Sequence, residues 1–215
     1  MCGIAGFYNI NGGYSSESPH WISILNDMNR TQFHRGPDGN GTYLCDCCGL
    51  AHVRLAIIDL VNGSQPLVKS HGGLKYAISY NGEIYNMKEL RSALKAEGAT
   101  FDTASDTEVI LEGYMRHGSD FIKCLNGIFA AAILDENHNR LILFRDRLGV
   151  KPLFYTHYEN TLVFASEIKG IFAYPGIPHI IDRDGLCEVF ALGPARTHGR
   201  GAVSYTHLRA HETGR

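Results

Sequence analysis

The apolar positions of this chain change period repeatedly. Residues 3–9 (Gly-Ile-Ala-Gly-Phe-Tyr-Asn) form a short continuous run that predicts a buried strand. Trp21, Ile24, Leu25 and Met28 then fall on one face of a helix. Strands are expected near 41–45, 49–56 and 73–80, and Asn81-Gly82 directly after the last of these reads as a tight turn. Met87, Leu90 and Leu94 give the next helix its stripe. Ser105-x-x-Glu108 is a capping box that opens another helix, with Val109, Ile110 and Tyr114 on its inner face. Apolar strands follow at 127–134 and 140–145, joined by Asn137-His138-Asn139, and again at 152–157 and 161–166. Strands in hairpin order between helical segments predict an α+β sandwich rather than a doubly wound parallel sheet.

Composition narrows the functions open to it. At 215 residues and 44% apolar content the chain can bury a two- or three-layer core. A formal net charge of -2 gives no electrostatic footprint for nucleic acid. No apolar run approaches the length of a membrane span, and the first residues lack a signal peptide's basic and apolar regions. A cytoplasmic, reducing setting is therefore expected, with the six cysteines as free thiols. Cys45, Cys47 and Cys48 cluster, but they lack the second ligand pair that a zinc site needs, so no metal is expected.

Four segments could carry chemistry, and each also has a plain structural reading. Cys2 is a small hydrophobe at a strand start, or, once Met1 is trimmed, a thiol beside its own α-amino group, which can act as a built-in base. Asn81-Gly82 in Asn81-Gly82-Glu83-Ile84-Tyr85-Asn86 is a hairpin turn, or a side-chain amide and a backbone N–H placed to receive an oxyanion. Arg54, in His52-Val53-Arg54-Leu55-Ala56-Ile57-Ile58-Asp59, interrupts an apolar strand, where its planar fork suits an internal carboxylate or that of an amino acid. Asp106 favours a helix N-terminus, or could receive a substrate ammonium.

Taken in order, these motifs resemble the class II glutamine amidotransferases of the N-terminal nucleophile hydrolase fold. His34-Arg35-Gly36-Pro37-Asp38, the segment Arg145 to Tyr155, and Phe164-Ala165-Ser166-Glu167-Ile168-Lys169 match the asparagine synthetase branch of that family. The resemblance covers residues 2–201, read as one glutaminase domain. It implies a four-layer αββα sandwich with Cys2 at the end of a central strand. It also implies roles: Cys2 attacks the side-chain amide of glutamine, and Asn81 and the Gly82 N–H form the oxyanion hole. Arg54 holds the α-carboxylate, with Leu55, Ala56, Ile57 and Ile58 lining the pocket, and Glu83 and Asp106 receive the α-ammonium.

In that family a C-terminal synthetase domain uses ATP and Mg²⁺ to amidate aspartate, and the full-length form could be a homodimer. No Ser-Gly-Gly-x-Asp-Ser pyrophosphate loop occurs in these residues, so the synthetase domain is expected to lie outside them, and this domain is expected to need no cofactor. The rival readings are a related amidotransferase acting on another carboxylate and a non-catalytic glutamine sensor. Residues 203–215 have no apolar period and read like an in-frame translation of a sequencing adapter, so they are expected to lie outside the fold.

Overall fold

A computed structural model describes residues 1–56 and 63–181, together with Arg183, Leu186, Cys187, Phe190 and the backbone of Arg209–Ala210. The strands are β1 (Gly3–Asn9), β2 (Gly39–Leu44), β3 (Cys48–Arg54), β4 (Leu67–His71), β5 (Leu74–Ile84), β6 (Gly127–Asp135), β7 (Arg140–Arg145), β8 (Phe154–Tyr158), β9 (Thr161–Ala165) and β10 (Arg209–Ala210). The helices are α1 (Ser18–Thr31), α2 (Met87–Ala96), α3 (Asp106–His117) and α4 (Ile168–Phe172). One sheet has the order β10-β8-β9-β1-β3-β2 and the other β4-β5-β6-β7, with every strand pair antiparallel.

Three apolar layers hold these elements together. Alternate residues of β1 point to opposite faces, so Ala5 and Phe7 pack on Ile24, Leu25 and Met28 of α1, while Ile4 meets Ala77, Ala130 and Leu134 of the other sheet. β5 divides in the same way. Tyr76, Ile78 and Tyr80 face Val109, Ile110 and Tyr114 of α3, and Ala77 faces the first sheet. The result is helix, sheet, sheet, helix, the expected α+β four-layer sandwich. Central strands covered on both faces read as near-continuous apolar runs, which explains the unbroken Gly-Ile-Phe-Ala-Ala-Ala-Ile-Leu of β6. Phe164 and Phe7 are both fully buried; truncating either to Ala should cost about 3–5 kcal/mol.

The structure departs from the sequence reading in three places. Asn81-Gly82 is not a turn, because β5 runs straight through it to Ile84, pairing Asn81 with Ala130 and Gly82 with Phe129. Gly82 serves close approach instead: a Cβ there would lie 2.4 Å from the Ile128 carbonyl oxygen. Strand β4 (Leu67–His71), too polar to stand out in sequence, adds an edge to that sheet. The capping box is half formed. Ser105 Oγ accepts from the Glu108 N–H at 3.3 Å, but Glu108 reaches past Ser105 to the N–H groups of Asp102 (2.9 Å) and Thr103 (2.7 Å). Glu108 also pairs with Lys69 of β4 at 2.9 Å, which pins the start of α3 against that edge. The expected strands at 140–145 and 161–166 and the helix stripes on 21–28 and 87–94 appear as β7, β9, α1 and α2.

Of the tail, Arg209 and Ala210 pair with Tyr155 and Phe154 along the outer edge of β8. The expected domain end near residue 201 and the rest of residues 203–215 lie outside the described residues.

Candidate active site

The site forms at the end of the inter-sheet layer where β1 begins and β3 ends. Gly3 pairs with Val53, so the next pair outward brings Cys2 beside Arg54 and Leu55. The Leu55 N–H lies 3.3 Å from Cys2 Sγ, and the Leu55 carbonyl lies 3.6 Å from the same sulfur. Arg35 Nε donates to the Cys2 carbonyl at 3.0 Å, and Arg35 Nη1 donates to Glu167 at 3.0 Å. Ser166 clasps the next residue of β1: its Oγ accepts from the Ile4 N–H at 3.0 Å, and its own N–H donates to the Ile4 carbonyl at 2.8 Å. The backbone that leads from the thiol into β1 is therefore fixed by distant parts of the chain.

The end of β3 is held by the same loop that supplies Arg35. Asp38 donates its N–H to the Arg54 carbonyl at 3.0 Å and accepts from the Ala56 N–H at 2.8 Å. A Cβ on Gly36 would sit 2.6 Å from the Arg54 backbone, so the loop can lie on β3 only with glycine there. Burial pushes the Glu167 carboxyl up, but Arg35, Lys169 and His34 outweigh it and hold the group down to about 2. Arg35, Asp38, Ser166 and Glu167 were legible only as parts of longer motifs, and their role in holding Cys2 and residues 54–56 emerges from the structure.

β5 brings in the second set of groups. His52 Nδ1 lies 3.3 Å from Ser79 Oγ, which lies 3.1 Å from the Ala51 carbonyl; with the hydroxyl donating to that carbonyl, the imidazole proton is assigned to Nδ1. Burial, with Arg54 adding to it, depresses the His52 pKa to about 3 and keeps the ring neutral. Two residues beyond Ser79, Asn81 is 2% exposed, and its Nδ2 has no partner among the described residues. An orphaned buried amide is costly and therefore informative.

The backbone of Gly82 is equally distinctive. Phe129, its partner on β6, turns both backbone groups to Asp146 rather than to Gly82: the Asp146 N–H donates to the Phe129 carbonyl at 2.8 Å, and the Phe129 N–H donates to the side-chain Asp146 Oδ2 at 3.2 Å. The ladder alternation then turns the Gly82 N–H toward the opposite edge of β5, beyond the end of β4. Its neighbours on that edge are covered by side chains. Gln65 takes the N–H of Tyr80 at 2.7 Å and its carbonyl at 3.1 Å, and Asp106 Oδ2 takes the N–H of Ile84 at 3.3 Å.

Asp106, 6% exposed, also accepts from Tyr80 Oη at 2.8 Å and from the Thr107 N–H at 2.9 Å. Burial raises its pKa, while Tyr80 and the two backbone donors oppose the rise. Tyr80 is in turn pushed up by burial, by Asp106, and by the charges of Glu83 and Cys2. These couplings place Cys2, Tyr80, Glu83 and Asp106 in one neighbourhood. Glu83 is exposed, Arg54, Leu55 and Ala56 are half-buried, and Ile57 and Ile58 lie outside the described residues. Tyr80 and Gln65 carried no sequence signal.

A two-sheet sandwich clad in helices, with a thiol at the head of a central strand, is a fold of the N-terminal nucleophile hydrolase type. Solved structures agree on the fold. The chain superimposes with a TM-score of 0.65 on glutamine phosphoribosylpyrophosphate amidotransferase from Bacillus subtilis, complexed with ADP and GMP, at 22% identity over 80% of this chain and 43% of that one. The glutamine amidotransferase domain family matches residues 1–214, and the chain belongs to that family. Among curated relatives, it is 43% identical over 201 residues to glutamine-hydrolysing asparagine synthetase 3 of Bacillus subtilis, across 94% of this chain. It is 37% identical over 182 residues to amidase chry2 of Gibberella zeae, across 81% of this chain. The chain spans only 32% and 27% of the lengths of these two relatives.

Proposed function

We propose that this chain is the glutaminase half of an asparagine synthetase and releases ammonia from glutamine with Cys2 as the nucleophile. The observation that carries the reading is the buried Asn81 Nδ2, without a partner among the described residues, beside a Gly82 N–H turned off the β6 ladder, on the strand whose Tyr80 feels the charge of Cys2, a thiol at the head of a strand anchored by Arg35 and Ser166. Removal of Met1, which is 55% exposed, frees the Cys2 amine to take the thiol proton. The thiolate then adds to the side-chain carbonyl of glutamine. The oxyanion forms where Asn81 and Gly82 donate, and the amine returns the proton to the departing ammonia. Water hydrolyses the remaining γ-glutamyl thioester to glutamate.

Substrate recognition uses the charges around the thiol. Arg54 takes the α-carboxylate bidentately, with Leu55, Ala56, Ile57 and Ile58 as the wall, and Glu83 and Asp106 take the α-ammonium. For Asp106 this means sharing a carboxylate already engaged by Tyr80 through Oδ2, so the ammonium binds Oδ1, beside the Thr107 N–H. Neutral His52 leaves Arg54 as the positive charge facing the substrate.

The remaining two-thirds of such a protein would bind ATP and Mg²⁺ and amidate aspartate with the released ammonia. A related acceptor carboxylate is the second reading, favoured by the similarity to a protein named as an amidase. The test supplies this chain with glutamine, aspartate and Mg-ATP and assays glutamate, asparagine and AMP separately. Glutamate alone, lost in Cys2→Ala, is the expected result. Asparagine made by this chain by itself would overturn the division of labour. Glutamine binding without any turnover in protein shown by mass to lack Met1 would favour a sensor.

A further inference from the structure

The opposite end of β1 carries a second group of thiols that the glutaminase reading does not use. There the β2–β3 hairpin turns through Cys45-Asp46-Cys47-Cys48, closed by the Cys45 N–H donating to the Cys48 carbonyl at 2.9 Å. The chain bends at Asp46 and Cys47, and Cys45 Sγ lies 3.7 Å from Cys47 Sγ. The tip is pinned: the Cys47 carbonyl accepts from the Asn9 N–H at 2.8 Å, and the Asp46 carbonyl accepts from the Tyr14 N–H at 3.0 Å. Cys48 is fully buried between the sheets, but Cys45 and Cys47 border an open cleft of about 280 Å³ whose walls include Asn11, Gly12, Glu136 and Asn139. Two walls are fixed by tyrosines, since Tyr43 Oη donates to Glu136 and Tyr8 Oη donates to the Asn139 carbonyl.

We propose that Cys45 and Cys47 form a redox-reactive dithiol that exchanges with a low-molecular-weight thiol disulfide admitted by this cleft. Cys45 attacks one sulfur of that disulfide, forming a mixed disulfide and expelling one small thiolate. Cys47 then attacks Cys45 Sγ, closing the Cys45–Cys47 bond and expelling the second. The dithiol gives up two electrons and both protons, and the small disulfide is reduced to two thiols.

Geometry sets the order. Cys45 is half-buried and Cys47 only 8% exposed, so an incoming disulfide reaches Cys45 first; the contact between the two thiols also lowers the Cys45 pKa, while it and burial raise that of Cys47. Cys45 is thus the attacking thiolate and Cys47 the resolving thiol. The 3.7 Å separation must close to the roughly 2 Å of a disulfide. The backbone bonds that close the hairpin and pin its tip hold the two residues side by side. Two acidic side chains line the cleft among the described residues: Glu136 is occupied by Tyr43 and by Lys75 at 3.7 Å, and Asp46 accepts from the Ser15 N–H at 3.3 Å.

The test uses the whole chain, reduced and then exposed to oxidised glutathione at neutral pH, with cysteine connectivity mapped after acid quenching. Exposed Cys124 is the internal control, able to form only mixed adducts. The expected result is a Cys45–Cys47 disulfide that forms about tenfold faster than the Cys124 adduct. Cys47→Ser should trap glutathione on Cys45, and Cys45→Ser should leave Cys47 reduced. The parent map needs no substitution, so it stands even if a variant folds poorly. Cys45 reacting no faster than Cys124, an unresolved adduct on Cys45 in the parent, or pairing of Cys45 with any other cysteine would each overturn the proposal.

Discussion

The two ends of β1 present the same functional group in opposite settings. At the Cys2 end the thiol takes the Leu55 N–H, the buried Asn81 Nδ2 of β5 has no partner among the described residues, and the strand is anchored by Arg35, Glu167 and Ser166. At the Tyr8 end the thiols bind one another, and the surrounding donors and acceptors are paired among themselves. The contrast shows what distinguishes a reaction centre from a reactive surface. A reaction centre keeps unused hydrogen-bonding capacity in a rigid frame, because donors placed in advance cost no reorganisation when charge develops. A self-satisfied thiol pair can change oxidation state but has no donors left over for a substrate.

Substitutions should separate the two ends sharply. Cys2→Ala should reduce glutamine hydrolysis to background, a loss of at least about 10³-fold, because nucleophile and base act as one unit. Cys45→Ser and Cys47→Ser should leave kcat/KM for glutamine within about twofold, since neither lies near the reacting atoms. A comparable loss at the hairpin tip would erase the distinction.

Asn81→Ala comes next. Loss of one oxyanion donor should lower kcat about 10²–10³-fold with KM little changed. Because Nδ2 has no partner among the described residues, the melting temperature should barely move. A large drop in stability with kcat intact would instead make Asn81 a structural residue. Arg54→Lys sharpens the picture of the binding groups. A point charge cannot replace the planar fork, so KM should rise about tenfold while kcat holds; an effect confined to kcat would remove Arg54 from carboxylate binding.

The anchor of the Cys2 end can be weakened through pH. Glu167 has its pKa held near 2, against an ordinary 4.5. Its depressed value means that its contribution to stability is full above about pH 4.5 and is lost as pH falls toward 2. Glu167→Gln should therefore flatten this part of the acid-unfolding curve, and an unchanged curve would show that the Arg35 pair contributes nothing. The smallest effect is expected at the far edge of the sheet. Among the described residues, deleting 203–215 removes a two-residue pairing with β8, and the melting temperature should shift by no more than about a degree. A fall of several degrees would make the tail part of the fold.

The apolar periods alone determined most of the element order, because strands and helices that bury a face must place apolar residues at two or at three and four positions apart. The ordered motifs also marked Cys2, Arg54, Asn81 and Asp106. The sequence could not reveal what Asn81-Gly82 does. The dipeptide favours a turn locally, but the pairing of β5 with β6 leaves no room for one, and the packing of Gly82 on the Ile128 carbonyl overrides local preference. Nor could it reveal which groups hold the thiol. Arg35, Ser166 and Glu167 stand 33 to 165 positions from Cys2 and reach it only when β9 lies along β1 and the loop before β2 folds over β3. Contacts so distant along the chain leave no periodic trace in it. The spare donors of Asn81 and Gly82 are likewise a property of strand register, set by the whole sheet rather than by the residues that carry them.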